Sequence, residues 1–420
     1  MEPHPHPELA PSLPRLLPAD RAVAMVARRV HEDFQVEERP LEAPSGSGDF
    51  LWVRVEKRGL TTTQAVADLA RRCGVPPRQV RHAGLKDARA VTRQWLSVEG
   101  VRREPSEGAL SDRARILEVT RHRRPLDRGD LAGNAFRLKL REVPAGGAAR
   151  LREGLEELAR RGLPAAFGLQ RFGARGDTGA IGLAVLREDW ARAAALIAGT
   201  PGEHDSGPVR EARELFEARS FAAAQEAFPR GYETSAQLAR AMATNRGRPK
   251  NALRSLGAEA LSFYVAAAQS LVFNRVLAAR LPELEQLLPG DELEPIDGGR
   301  RFAIDDPTQH QAASDAAELT ATGPLPGPRG KLAQGQAGEL ERAALAELGT
   351  TPELFDAAGR FRQRGARRPL RMRLREPEVN EGDDESGAFA ELCFVLPAGG
   401  YATGVLDELG QDQLQLVERD

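Results

Sequence analysis

The chain has 420 residues, of which 41% are hydrophobic and 29% charged, with a formal net charge of -2. That composition excludes wholesale disorder, and it excludes polyanion binding through net charge alone. No run of eighteen apolar residues predicts a membrane span, and the first residues lack the basic-then-apolar order of a secretory signal. At roughly 150 residues per domain, the length argues for two to three domains. The two cysteines, Cys73 and Cys393, are too few for a zinc ribbon or disulfide framework and point to a reducing, cytoplasmic setting.

Residues 1–20 are rich in Pro and His and read as a flexible tail. Residues 50–56 alternate apolar and polar, as a strand does, and residues 64–73 carry helical spacing behind Thr62 or Thr63 as N-cap. Further strands are expected at 93–98, 116–120 and 135–140. Helices are expected at 148–161, 190–198, 221–240 and 261–281. The Gly/Pro-rich stretch 322–336 reads as a loop, followed by a helix at 340–348. Residues 371–374, 389–396 and 402–406 return to strand or strand–helix alternation, and the acidic stretch 376–386 reads as a loop. This strand-rich, helix-rich, strand-rich order is best explained by a helical domain inserted into an α+β domain, the last strands rejoining the sheet begun by the first.

Charge is uneven along this layout. Residues 81–150 hold sixteen Lys and Arg against nine Asp and Glu, and residues 360–375 hold eight Arg and no acid. Such zones in a neutral chain suit a local phosphate-binding face, and equally a pair of solvated surface faces.

Three segments could carry chemistry. In 82–95, Asp87 lies between regular elements among Lys86, Arg89 and Arg93. A carboxylate there would stay ionised and could act as nucleophile or base, or it could belong to a plain surface turn. In 130–139, Gly133-Asn134 suits a turn or bulge, and Phe136 is either a stacking platform for a base or a core residue. In 164–173, two Gly, two Phe and Arg171 suggest a loop ordered against a ligand, or a linker. No phosphate-binding P-loop, His-Glu-x-x-His or Cys-x-x-Cys pattern occurs, so a carboxylate mechanism without metal or cofactor fits better.

Taken in order, these segments resemble the TruD family of tRNA pseudouridine synthases. The similarity is carried by residues 83–94 (AGLKDARAVTRQ), 133–136 (GNAF), 167–173 (FGLQRFG), 33–38 (DFQVEE), 268–274 (AQSLVFN) and 396–403 (LPAGGYAT). The resemblance implies an α+β pseudouridine synthase core with a mixed or antiparallel sheet at 21–164 plus 366–420. It implies a family-specific, helix-rich insertion at 165–365, with the arginine-rich run near an interdomain cleft. The implied reaction converts uridine to pseudouridine in tRNA, at position 13, in a monomer that uses no nucleotide cofactor and no membrane. Asp87 would be the catalytic aspartate and Lys86 would keep it ionised or meet phosphate. Phe136 would stack on the base, Asn134 would hydrogen-bond around the loop, Glu38 would support a basic partner, and Arg171 would contact substrate. Two other readings are a non-catalytic RNA-binding protein on the same scaffold and a small-molecule glycosidase. The latter needs a second carboxylate about 5–9 Å from Asp87.

Overall fold

The computed structural model describes residues 14–173, 175–202, 205 and 207–417. The chain forms two compact units, one of residues 16–163 with 372–420 and one containing 164–371. In chain order the first segment gives β1 (Met25–Ala27), β2 (Phe34–Pro40), β3 (Phe50–Arg58), α1 (Thr62–Cys73), β4 (Val80–His82), β5 (Val91–Val98), β6 (Gly108–Ser111), β7 (Ala114–His122), β8 (Leu131–Arg141) and α2 (Gly147–Arg161). The middle segment runs from β9 (Leu163–Pro164) through α3 (Thr178–Leu186), α4 (Trp190–Ala198), α5 (Gly207–Glu217), α6 (Phe221–Ala227), α7 (Glu233–Thr244), α8 (Pro249–Ser255) and α9 (Ala258–Arg280). It continues with β10 (Glu292–Pro295), β11 (Phe302–Ala303), α10 (Gln311–Asp315), β12 (Leu319–Leu325), α11 (Gly335–Glu347), α12 (Pro352–Asp356), β13 (Ala366–Pro369) and β14 (Arg371–Met372). The chain ends in β15 (Arg375–Asp384), β16 (Gly387–Leu396), α13 (Ala402–Gly410) and β17 (Leu414–Leu416).

The first unit is built on an 11-stranded mixed sheet in the order β15-β16-β8-β2-β5-β3-β7-β6, with β4 on β5, and β1 joining β8 to β17. Its C-terminal strands do rejoin the sheet begun by the N-terminal ones: β16 lies antiparallel to β8 over residues 389–396. The core follows from the two-residue period of β3. Leu51, Val53 and Val55 face α1, whose Ala65, Leu69 and Cys73 recur at helical spacing, while Trp52 faces the other way onto Trp95, Leu126 and Ala83. Helix α1 begins at Thr61, which forms a capping box with Gln64, one residue before the expected caps. Gly74 closes it in the left-handed conformation.

Two expectations change in this unit. Residues 1–13 of the expected tail, with His4 and His6, lie outside the described residues, but Leu16 and Leu17 are buried. Their backbone amides donate to the Glu408 carboxylate at 2.9 Å, so the apolar pair anchors this end onto α13. The acidic stretch 376–386 is largely strand: β15 pairs with β16. Asp384 at its end accepts from Lys139 and Arg141, and Arg141 is itself buried against Asp33, while Glu378, Glu381, Asp383 and Glu385 stay exposed.

The second unit is helical around α3 and α9, with the four-stranded sheet β11-β10-β12-β13. Helix α3 is buried on every face. It closes on α9 through Gly182, where an added Cβ would lie 2.0 Å from the Tyr264 carbonyl oxygen. Helix α9 is long and apolar enough to cross a bilayer by length and composition, but 67% of its apolar window is buried inside the protein, and Val265, Ala268, Leu271 and Val272 sit in this unit's core. The expected single helix at 221–240 is broken after Ala227. Pro229 lacks an N–H, and Gly231 has φ +99°. The expected loop 322–336 begins as strand, because β12 extends to Leu325 to pair with Ala366 of β13.

Two outcomes check these contacts. Gly182→Ala is expected to destabilise the protein by about 1–3 kcal/mol or more in urea unfolding, as backbone overpacking does; a change below about 0.5 kcal/mol would contradict the close approach. Arg141 foremost, then Lys139, holds the Asp384 carboxyl well below the usual carboxylate range. A depressed folded pKa stabilises in full above the unfolded value and is lost as pH falls toward the folded one. Asp384→Asn should therefore lower Tm at pH 7 and lose less Tm than wild type from about pH 4 downward; parallel acid limbs would refute the linkage.

Candidate active site

The candidate site is the loop 83–90 between β4 and β5, which pair with each other at its base. The loop has little regular structure of its own, yet it is tied at nearly every residue. The Ala83 carbonyl accepts from Gly129 N at 2.8 Å, and the Lys86 amide donates to Thr62 Oγ1 at 3.0 Å. Thr62 Oγ1 in turn donates to Gln94 Oε1 at 3.0 Å, and the Ala90 carbonyl accepts from Gly59 N at 3.2 Å. Two buried ammonium groups complete the bracing. Lys86 Nζ meets Glu38 Oε2, whose other oxygen accepts from Trp95 N at 3.1 Å. Lys57 continues the inward series of β3 and donates to the carbonyls of Leu60 at 2.5 Å and Asp87 at 2.8 Å. Burial brings the Lys57 ammonium down to about 8, with the Asp87 carboxylate opposing that shift.

This bracing presents the Asp87 carboxylate. Its Oδ1 accepts from the Arg89 amide at 2.9 Å, and its Oδ2 accepts from Arg28 Nη2 at 2.6 Å. The Asp87 side chain stays 30% exposed while that of Arg28 is 13% exposed, so the acid is reachable and its counter-ion is enclosed. A guanidinium at this distance makes a charge-assisted hydrogen bond that fixes the carboxylate's direction. Arg28 sits just after β1 with φ +63°, a conformation that costs a non-glycine residue on the order of 1 kcal/mol or more. Its guanidinium lies 4.1 Å over the Phe34 ring. Phe34 meets Phe136 edge-on at 6.4 Å, and Phe136 stacks on Phe394 at 5.3 Å. Arg28 was not among the residues expected from sequence; the pair Arg28-Arg29 carries no motif, and its partner lies 59 positions away.

The expected site residues divide between the two units. Asp87, Lys86, Glu38, Asn134 and Phe136 all belong to the first unit, with Glu38 opposite Asn134 in the β2–β8 register. Lys86 is not available to phosphate: its side chain is 4% exposed and spent on Glu38, because a buried carboxylate demands a cation. Phe136 is not an open platform: it is 7% exposed, with Phe394 stacked on it. Asn134 makes no hydrogen bond to the loop; its Oδ1 is buried without a hydrogen-bond partner. Of the expected turn or bulge at Gly133, the bulge is present: the β2–β8 register shifts between Arg39, opposite Gly133, and Pro40, opposite Leu131. Gly133 lies inside β8, where a Cβ would come within 2.4 Å of the Leu396 carbonyl oxygen.

Arg171 lies in the other unit, its guanidinium 5.3 Å over Phe167. There the motif 167–173 meets the motif ending at Asn274. Phe167 N donates to Asn274 Oδ1, and Asn274 Nδ2 donates to the Phe167 carbonyl, both at 2.9 Å. The arginine-rich run is partly interior. Arg367 is buried against Glu341, and Arg371 is buried on the Ser314 hydroxyl and the Leu319 carbonyl, whereas Arg360, Arg362, Arg364 and Arg375 are exposed. In the first basic zone, Arg81, Arg93, Arg121, Arg124 and Lys139 are ion-paired with acids.

A mixed sheet whose C-terminal strands rejoin the N-terminal ones around a helix-rich segment is the architecture that the pseudouridine synthase resemblance implies. Residues 19–409 match the family tRNA pseudouridine synthase D (TruD). The chain is 37% identical over 378 residues to a tRNA pseudouridine synthase D of Geobacter sulfurreducens, covering 90% of this chain and 92% of that one. It is 36% identical over 396 residues to one from Anaeromyxobacter dehalogenans, covering 94% and 95%. A solved Methanosarcina mazei structure carrying the tRNA pseudouridine synthase D name aligns with a TM-score of 0.79 and 25% identity, covering 97% of this chain and 98% of that one. The chain belongs to the tRNA pseudouridine synthase D family.

The bracing can be tested by stability. Lys86→Met leaves Glu38 buried without its cation and should cost about 3–5 kcal/mol in denaturant unfolding. A cost below about 1 kcal/mol would mean that water or another cation replaces Lys86.

Proposed function

We propose that the chain isomerises uridine to pseudouridine in tRNA at position 13, with Asp87 as the catalytic carboxylate and no cofactor. The observation that carries this reading is the Asp87–Arg28 pair, a reachable carboxylate held in place on a braced loop. The reaction breaks the bond from C1′ to N1 of uracil and makes one from C1′ to C5. N1 gains a proton and C5 loses one, so the change is redox-neutral and consumes no co-reactant. Asp87 serves either route to the detached base, attack on C1′ or removal of the C2′ proton. Arg28 fixes the direction of the carboxylate through a charge-assisted hydrogen bond. The unpartnered Asn134 Oδ1 suits an N–H of the base, since a buried acceptor without a donor is costly until a ligand supplies one. Phe136 and Phe34 pack beneath this part of the sheet and stiffen it. Position 13 and the use of tRNA rest on the family resemblance, and the exposed guanidinium groups of residues 360–375 suit phosphate contacts.

The test uses tRNA transcripts with a uridine at position 13, scored for pseudouridine under single-turnover conditions. Wild type should convert them and Asp87→Asn should fall to background. Arg28→Gln, which loses one charge-assisted hydrogen bond, should slow conversion by roughly 10- to 100-fold. Binding without conversion by wild type would favour the non-catalytic RNA-binding reading. Full activity of Asp87→Asn would place the chemistry elsewhere.

A further inference from the structure

The loop that presents Asp87 carries a feature that the reaction chemistry leaves unused. Leu85 is 71% exposed, the highest value among the large hydrophobic residues exposed in the described structure. Isolated exposed leucines are ordinary on protein surfaces, but this one does not sit on a slack loop. Ala83 before it is buried and bonded to Gly129, and Lys86 after it is held through both its amide and its ammonium. The Gly84 carbonyl is met by Gln94 Nε2 at 3.4 Å. The backbone therefore has little freedom to fold Leu85 inward, and an apolar side chain is held in solvent two residues from Asp87. Arg89, two residues beyond Asp87, is exposed as well, placing a cation beside the same rim.

A uridine inside a helical RNA hides C1′ and C5 in the stack, so chemistry at those atoms requires the base to swing out. The hole it leaves is apolar on both faces, and a rigid aliphatic side chain is the group that fills such a hole, as wedges of Leu, Ile or Phe do between base steps. We propose that Leu85 is an RNA wedge, occupying the stacking gap left by the target uridine and holding the vacated helix open while Asp87 acts. This inference rests on the uridine-isomerase reading above. It makes Leu85 a determinant of which RNA contexts are turned over, because the wedge is needed only where the uridine begins stacked.

The experiment compares full-length wild type, Leu85→Ala and Leu85→Met on two substrates. One is a folded tRNA transcript with a uridine at position 13. The other is the same RNA assembled with abasic residues on both sides of that uridine, which leaves no stack to reopen. A third measurement places 2-aminopurine next to the uridine and follows its fluorescence on binding. Expected results are a loss of about tenfold or more for Leu85→Ala on the folded transcript and a loss within about twofold on the abasic-flanked one. Leu85→Met should stay near wild type on both, all three proteins should share one Tm, and the fluorescence rise seen with wild type should be absent with Leu85→Ala. Equal losses on both substrates would show that Leu85 acts on the loop and Asp87 instead, and overturn the wedge. No loss on either substrate would overturn it too. Inactivity of wild type on both would sink the isomerase reading itself, which separates that failure from this one.

Discussion

The bracing of the Asp87 loop is the constraint on which the rest of the site depends. A carboxylate in the role proposed for Asp87 must be open to substrate, and an open loop is a poor place to fix an angle. The fold solves this by placing two ammonium groups beneath the loop, Lys86 on Glu38 and Lys57 on the Leu60 and Asp87 carbonyls. Breaking either would leave a buried charge or orphaned carbonyls. Arg28 then takes the outward oxygen of Asp87 from the side of β1. Elements distant in sequence, β1, β2, β3, α1 and β5, thus converge on a loop of only a few residues.

The same economy governs charge across the chain. With a net charge of -2, many guanidinium groups are paired with carboxylates, and several of the pairs are interior. Arg141 between Asp33 and Asp384, Arg280 on Asp291 and Arg367 on Glu341 fasten strands and helices within their own units. Such pairs add little net stability compared with apolar packing, but losing one partner is costly, so they favour one arrangement over its neighbours. Arginine suits this use because its planar fork can satisfy a carboxylate and a carbonyl together.

Much of the architecture was legible in the sequence because it is periodic. The alternation in 50–56 and the helical spacing in 64–73 fix which faces are apolar, and the strand–helix–strand order of the chain implied an insertion. The family resemblance was legible because its segments are short, ordered and chemically unusual. The FGLQRFG motif and Asn274 are tied by two mutual hydrogen bonds, a physical reason for those residue types to occur together. What misled was composition read locally. Residues 376–386 read as an acidic loop, yet 376–384 form a strand whose Asp384 is claimed by cations of β8. Residues 322–336 looked too rich in Gly and Pro for a strand, yet β12 enters that stretch because β13 supplies its hydrogen bonds.

By itself the sequence determined the periodic elements, the ordered motifs, the family they mark and the position of the aspartate. Periodicity and motif are properties of neighbouring residues, so they can be read without knowing where the chain goes. Only the tertiary structure decided which charges meet. It showed that Asp87 faces Arg28, that Lys86 is spent on Glu38 and withheld from phosphate, that Phe136 is packed against Phe394, and that Leu85 is left in solvent. Those facts depend on pairings tens to hundreds of residues apart. A side chain's electrostatic partner and exposure are set by what the folded chain brings against it, and no local pattern encodes that.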